Sequence, residues 1–167
     1  MTRRSMTKRA AIVTATAVVA LGTIGTVAAT AGHKTAAKPT RTQIAGLFDT
    51  WNKALQTGDS QKVAALYAKD AVLLPTVSNK VRTDHAGIVD YFDHFLQNKP
   101  VGKKIKTIVD IVDDNSAIDS GVYEFTLTDH ATGKKRVVEA RYTYAYEKID
   151  GKWKIVNHHS SAMPEKK

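Results

Sequence analysis

The second half of the chain most narrows what it can fold into. From Lys103 onward, four segments rich in Val, Ile, Tyr and Thr follow one another: Ile105–Val112, Ala117–Thr128, Arg136–Lys148 and Lys152–Ser160. Asp113-Asp114-Asn115, Ala131-Thr132-Gly133 and Asp150-Gly151 separate them as turn signals. Runs of this composition punctuated in this way predict a four-strand antiparallel meander. Strands of this length twist and coil rather than lie flat, so the sheet must bend around something. Gly121, inside the second run, is the expected bulge that sharpens the bend.

The filling lies upstream. Thr40-Arg41-Thr42-Gln43 fits a capping box, and Ile44, Leu47, Phe48, Trp51 and Leu55 then recur at helical spacing on one face. Thr57-Gly58-Asp59 closes that helix and caps a second, whose buried side is Val63, Leu66 and Tyr67. Ala71–Leu74 reads as a short buried strand stopped by Pro75. A third helix, capped by Thr83 or Asp84, carries Ile88, Tyr91, Phe92, Phe95 and Leu96 on its face and ends at Asn98-Lys99-Pro100. Segregated helices and strands mean α+β: a cone-like curved antiparallel sheet wrapped around three N-terminal helices, over residues 40–165. The concave side of such a sheet either fills with side chains or leaves a cavity.

The residues before Thr40 have another character. MTRRSMTKR leads into an uncharged run of small and apolar residues, and Ala29-Thr30-Ala31 offers a cleavage site before Gly32. That order predicts a secretory signal peptide over 1–31, followed by a polar tether over 32–39. The run is long enough for an uncleaved anchor, but its Ala, Thr and Gly content favours cleavage. The expected product is secreted or extracytoplasmic, with no membrane contact after cleavage. Thr2 to Lys8 resembles a twin-arginine signal with Met6 where a bulkier residue is usual, so the Sec route and the twin-arginine route both stay open.

Charge follows the same division. The formal charge is +9, and removing Arg3, Arg4, Lys8 and Arg9, with no acid, leaves +5. Much of the basicity is therefore targeting, and nucleic acid is not an expected partner. The chain has no cysteine, which excludes disulfides, Cys-based metal sites and Cys nucleophiles.

Three stretches and their spacing carry a resemblance: WNKALQTGDSQKVAALYAKDAVLLPTVSNKVRTDHAGIVDYF, SAIDSGVYEFTL and ARYTYAYEKIDGKWKIVNHHSSAMP. Together they resemble the nuclear transport factor 2-like (SnoaL-like) superfamily. Within it they are most similar to the association, or hub, domain of calcium/calmodulin-dependent protein kinase II and its stand-alone bacterial relatives, some labelled SgcJ/EcaC-type oxidoreductases. The resemblance implies self-association through the convex sheet face, as a homodimer or a ring of dimers, and a pocket between the sheet and the first helix. It does not imply kinase activity, since a glycine-rich phosphate loop, H-R-D and D-F-G are all missing from the sequence. The hub pocket of the kinase uses arginines on its last two strands. Tyr144 and Ser160 stand there in this chain, so an arginine clamp for a carboxylate is not carried over.

Candidate chemistry concentrates on the last strands. His158 and His159 are adjacent, so on a regular strand they point to opposite faces and cannot readily chelate one metal. Regular alternation puts Trp153, Ile155, Asn157 and His159 on one face and Val156, His158 and Ser160 on the other. The expected pocket lining is Trp51, Tyr67, Tyr142, Tyr144, Asn157 and His159. Catalytic candidates are His158, His159, Asp119 and Glu124, of which Asp119 and Glu124 would serve as bases if burial raised their pKa. Arg141 is expected to pair with Glu139 or Glu124 across strands. Asp84, His85, Asp90 and His94 read as a solvated helix face rather than a metal site. No cofactor is expected, and no dinucleotide fingerprint follows a strand. Two functions compete: a non-catalytic association module holding a small organic ligand, and a cofactor-independent isomerase, dehydratase or SgcJ/EcaC-type oxidoreductase working by acid–base chemistry.

Overall fold

In the computed structural model, residues 38–164 are described; the expected signal peptide and nearly all of the expected tether lie outside them. Pro39, expected in the tether, is buried against the body. Thr40 caps α1 (Arg41–Ala45), its hydroxyl accepting from the Gln43 amide at 3.1 Å. The expected single helix is interrupted at Gly46, and α2 (Leu47–Gln56) follows. The physical reason is a competing donor. Lys104 Nζ occupies the Ala45 carbonyl, and the Asp49 amide bonds Gly46 O instead, at 3.1 Å.

Asp59 caps α3 as expected, its carboxylate accepting from the Gln61 and Lys62 amides. This helix is short, Ser60–Ala64, and does not reach Leu66 and Tyr67. Those two residues belong to the sheet side: Ile155 N donates to Leu66 O at 2.9 Å, and Tyr67 begins β1 (Tyr67–Leu74). Helix α4 (His85–Phe95) is capped by Asp84, with Gly87 N donating to its carboxylate at 2.7 Å, and a 3-10 turn, Leu96–Asn98, ends it.

The meander forms as β2 (Val101–Ile111), β3 (Ser116–Thr128), β4 (Lys135–Ile149) and β5 (Lys152–Ala162), all antiparallel neighbours. β1 adds a fifth strand, parallel to β5, giving the order β1-β5-β4-β3-β2. The inward face is aromatic. Tyr123, Phe125, Tyr142, Tyr144 and Tyr146 meet Phe48 and Trp51 of α2 and Phe92 of α4. Asn52 ties α2 to β2 in both directions, its amide donating to Gly102 O and its oxygen accepting from Gly102 N, each at 2.8 Å.

The bulge lies elsewhere than expected. The β3–β4 register runs without a shift through Gly121, whereas β2 inserts one extra residue, Ile105, between Lys104 and Lys106. Gly121 instead makes room for the displaced strand. A Cβ there would stand 1.8 Å from the Lys106 carbonyl oxygen and 3.2 Å from the Tyr142 hydroxyl. Gly121→Ala should therefore cost about 1–3 kcal/mol by forcing β2 off β3. The check is the urea midpoint, which should fall well below that of the parent protein.

Candidate functional site

A second bulge decides which residues of β5 face inward. Ala145 pairs with Asn157 and Tyr146 pairs with Ile155, so Val156 is an unpaired insertion. The expected alternation is broken there. Ile155, His158 and Ser160 all lie buried, while His159 is exposed. Asn157, opposite Ala145, and His159, opposite Thr143, share the outer side of the sheet, which corrects their expected place in the pocket lining. Extra residues of this kind re-aim side chains without changing composition.

His158 enters a hydrogen-bonded relay. Trp51 Nε1 donates to the Tyr67 hydroxyl at 3.1 Å, and that hydroxyl lies 2.9 Å from His158 Nδ1. Indole N–H is only ever a donor, so Tyr67 oxygen accepts from it. If Tyr67 then donates to Nδ1, the imidazole proton sits on Nε2 and a single buried group is left over. If Nδ1 carried the proton, both the Tyr67 proton and the Nε2 lone pair would lack partners. The first arrangement leaves fewer buried polar groups unmade, so Nε2–H is the tautomer the network assigns. Nε2 is buried and has no partner among the described residues. The ring also stacks on Tyr144, centroids 4.1 Å apart, and meets Trp51 edge-on at 5.5 Å.

Burial, reinforced by neighbouring His159, lowers the His158 pKa from 6.5 to about 3. The imidazole is therefore neutral at ordinary pH. Burial pushes the phenols of Tyr67, Tyr123, Tyr144 and Tyr146 upward as well.

Beside His158 lies a cavity, with about 50 Å³ open to the centre of a water molecule. Its floor is Trp51, Leu73, Phe92 and His158; Tyr123, Phe125 and Ser160 form a wall, and half-buried Tyr91 and Phe95 with exposed Val77 stand at its mouth. Among the described residues, no Lys, Arg, Asp or Glu lines it. Ser160 is already engaged, accepting from the Tyr123 hydroxyl at 2.5 Å and bonding to Thr76. Of the expected lining residues, Trp51 lines this cavity. Tyr67, Tyr142 and Tyr144 are buried behind it and are not among its walls. Sequence reading missed Tyr123, Phe125 and Leu127, although their alternation along the third strand segment marks an inward face.

The carboxylate candidates sit apart. Asp119 is fully buried; one oxygen accepts from Tyr142 at 3.0 Å and the other has no protein partner. Burial raises its pKa, against the Tyr142 hydrogen bond and the charge of Lys104. It does not line the cavity. Glu124 faces outward and meets Lys103 at 3.4 Å, so the expected pairing with Arg141 is not formed. Asp90 is taken by Arg82 at 3.1 Å, and His94 donates to the Asp90 backbone carbonyl at 2.8 Å, so the two side chains do not converge on a site. Among the described residues no three His, Asp or Glu side chains group as metal ligands.

Helices on one face of a curved five-stranded open sheet give the protein the fold of nuclear transport factor 2-like proteins. A Salmonella enterica protein of that superfamily superposes with TM-score 0.65 at 16% identity, covering 75% of this chain and 92% of that one. Residues 40–164 match the calcium/calmodulin dependent protein kinase II association domain, and the chain belongs to that family. A Xanthomonas campestris structure described as such an association domain is 58% identical, with TM-score 0.74, over 78% of this chain and 95% of that one. The association domain of C. elegans CaMKII shares the fold at 14% identity and TM-score 0.60, over 72% of this chain and 94% of that one. No curated protein matches the chain in sequence.

The neutral imidazole has a consequence for stability. The folded pKa lies below the unfolded one, so the unfolded chain takes up the proton first as pH falls. The His158 contribution is complete above about pH 6.5 and is lost as pH drops toward 3. At pH 5 the loss should be about 2 kcal/mol. Asp119 acts with the opposite sign, so the comparison that isolates His158 is urea unfolding of the parent and of His158→Gln at pH 7.5 and 5. The variant should show the smaller acid loss.

Proposed function

We propose that the chain is an exported association module that pairs with further copies of itself through the outer face of its sheet and holds a small organic molecule in the cavity beside His158. The observation that carries self-association is the uncovered outer face. Every helix among the described residues packs on the aromatic side, while Ile108, Ile118 and Val122 lie on the opposite side with Lys106 and Asp110 beside them, Ile108 being 50% exposed. Ser120, Thr143 and Ala145 keep the centre of that face low and small. A sheet face left uncovered with an exposed aliphatic side chain is open to protein contact. Membership in an association-domain family and the 58% identical relative support the same reading.

A non-catalytic role is supported by the cavity walls. Acid–base chemistry needs a group that exchanges protons near the working pH. His158 has one nitrogen committed to Tyr67 and a strongly lowered pKa, and Asp119 and Glu124 stand away from the walls. The enzyme alternative therefore has less support than binding. Export is supported by the basic, apolar and small-residue order of residues 1–31.

Expression of the full chain with recovery of the exported form tests both proposals together. Its N-terminus should be Gly32, and sedimentation velocity at micromolar concentration should show a dimer or larger assembly. Ile118→Lys, which buries a charge in the contact, should weaken association at least ~10-fold, equivalent to about 1.4 kcal/mol. A parent protein that stays monomeric at high concentration contradicts self-association.

A further inference from the structure

Resting on the small-molecule reading above, the arrangement of hollows gives that site a second compartment. We infer that the apolar cavity and a polar hollow outside it form one site for an amphipathic molecule, with a single ring or short chain inward and an uncharged, hydroxyl-bearing head outward. The two spaces share a boundary. Val77, Tyr91 and Phe95 line both, and the Tyr91 and Phe95 rings stack with centroids 5.7 Å apart. The inner space, with about 50 Å³ open to water centres, is walled by Trp51, Phe92, Tyr123 and Phe125. It has the room of a few waters, which suits a short or one-ring end. The outer space has about 360 Å³ on the same measure and adds Ser78, Arg82, Asp90, His94 and Asn98. Apolar walls combined with a few placed polar groups orient what a pocket binds.

Hydrogen bonding in the outer hollow decides what the head must be. Arg82 is 8% exposed and each guanidinium nitrogen is engaged: Nε with Gly87 O at 3.0 Å, Nη1 with Lys80 O at 3.0 Å and Nη2 with Asp90 Oδ2 at 3.1 Å. It fastens the loop after Pro75 to α4 rather than offering a free cation to an anion. The remaining groups accept. His94 Nδ1 donates to Asp90 O, so the neutral ring of this exposed residue presents Nε2 as an acceptor. Asn98 gives its amide N–H to Phe95 O at 3.3 Å, which leaves its side-chain oxygen. Asp90, with 53% of its side chain exposed, meets Arg82 through Oδ2, which leaves Oδ1. An ionised carboxylate only accepts, and would face these acceptors with nothing to give. An ammonium would find the Asp90 charge already offset by Arg82. A hydroxyl donates to the acceptors and stays partly hydrated at the open end.

The test uses the exported chain at pH 7.5, with four probes on one skeleton: propylbenzene, hydrocinnamyl alcohol, hydrocinnamylamine and hydrocinnamate. Occupancy is read from the Trp51 indole N–H resonance for the inner space and the His94 ring ¹⁵N resonances for the outer one. Hydrocinnamyl alcohol should shift both, whereas propylbenzene should shift Trp51 and leave His94 in place. The alcohol should bind roughly 3–10-fold more tightly than propylbenzene, about the worth of one net hydrogen bond. Both ions should bind more weakly than the alcohol. His94→Leu, at an exposed position on α4, should remove most of the advantage of the alcohol over propylbenzene. Val77→Trp, at a 64% exposed position common to both compartments, should weaken the alcohol even if His94→Leu fails to fold. An alcohol that shifts Trp51 without His94, or that binds no better than propylbenzene, overturns the two-compartment inference while the cavity remains a binding site. Tighter binding of either ion than of the alcohol, or alcohol binding that Val77→Trp leaves untouched, also overturns it. If none of the four probes shifts Trp51, both this inference and the small-molecule reading fail.

Discussion

The interaction on which the rest of the structure depends is the relay from the Trp51 indole through the Tyr67 hydroxyl to the His158 imidazole. It joins α2, β1 and β5, three elements far apart in sequence, by donors and acceptors that each have few alternatives. Trp51 brings the largest fully buried side chain and packs its ring against Phe48, Phe92, Phe125, Tyr144 and His158. Its N–H would be an orphan in that apolar setting without Tyr67, and an unmade buried donor costs about 1–3 kcal/mol. The relay thus fixes how α2 sits in the sheet and which nitrogen of His158 carries the proton.

The two faces of the sheet divide the work. Inward residues build an aromatic interior in which most polar atoms are matched, Asp119 Oδ2, the Tyr144 and Tyr146 hydroxyls and His158 Nε2 having no partner among the described residues. Outward residues mix small and aliphatic side chains with charged ones, Lys106 and Asp110 beside Ile108 and Lys103, Glu124, Glu139 and Arg141 toward one end. Such a surface can meet its own copy without disturbing the cavity, because the sheet lies between the two. Within a family named for association, this chain keeps the fold.

Much of the fold was legible in local chemistry. Thr40, Asp59 and Asp84 announce their helices because each offers a short side-chain oxygen to free amides, and the four β-rich runs announce the meander. The missing parts have a common cause. Bulges at Ile105 and Val156 carry no compositional mark, since they arise from long-range pairing. One inserted residue at Val156 was enough to send Asn157 and His159 to the outer face and to align His158 with Ile155. Tyr67 reads as helical by spacing, but pairing with Ile155 and bonding to His158 draw it into a strand. Gly121 was noticed for the right residue type and the wrong reason: it accommodates a bulge in the neighbouring strand.

The measurement that bears most directly on this account is the protonation pattern of His158 in the ligand-free protein, read from its two ring ¹⁵N shifts between pH 7 and pH 5. The relay predicts an Nδ1 of unprotonated type and an Nε2 of protonated type, unchanged across that range. A proton on Nδ1, or a ring that becomes charged near pH 6, would contradict the relay.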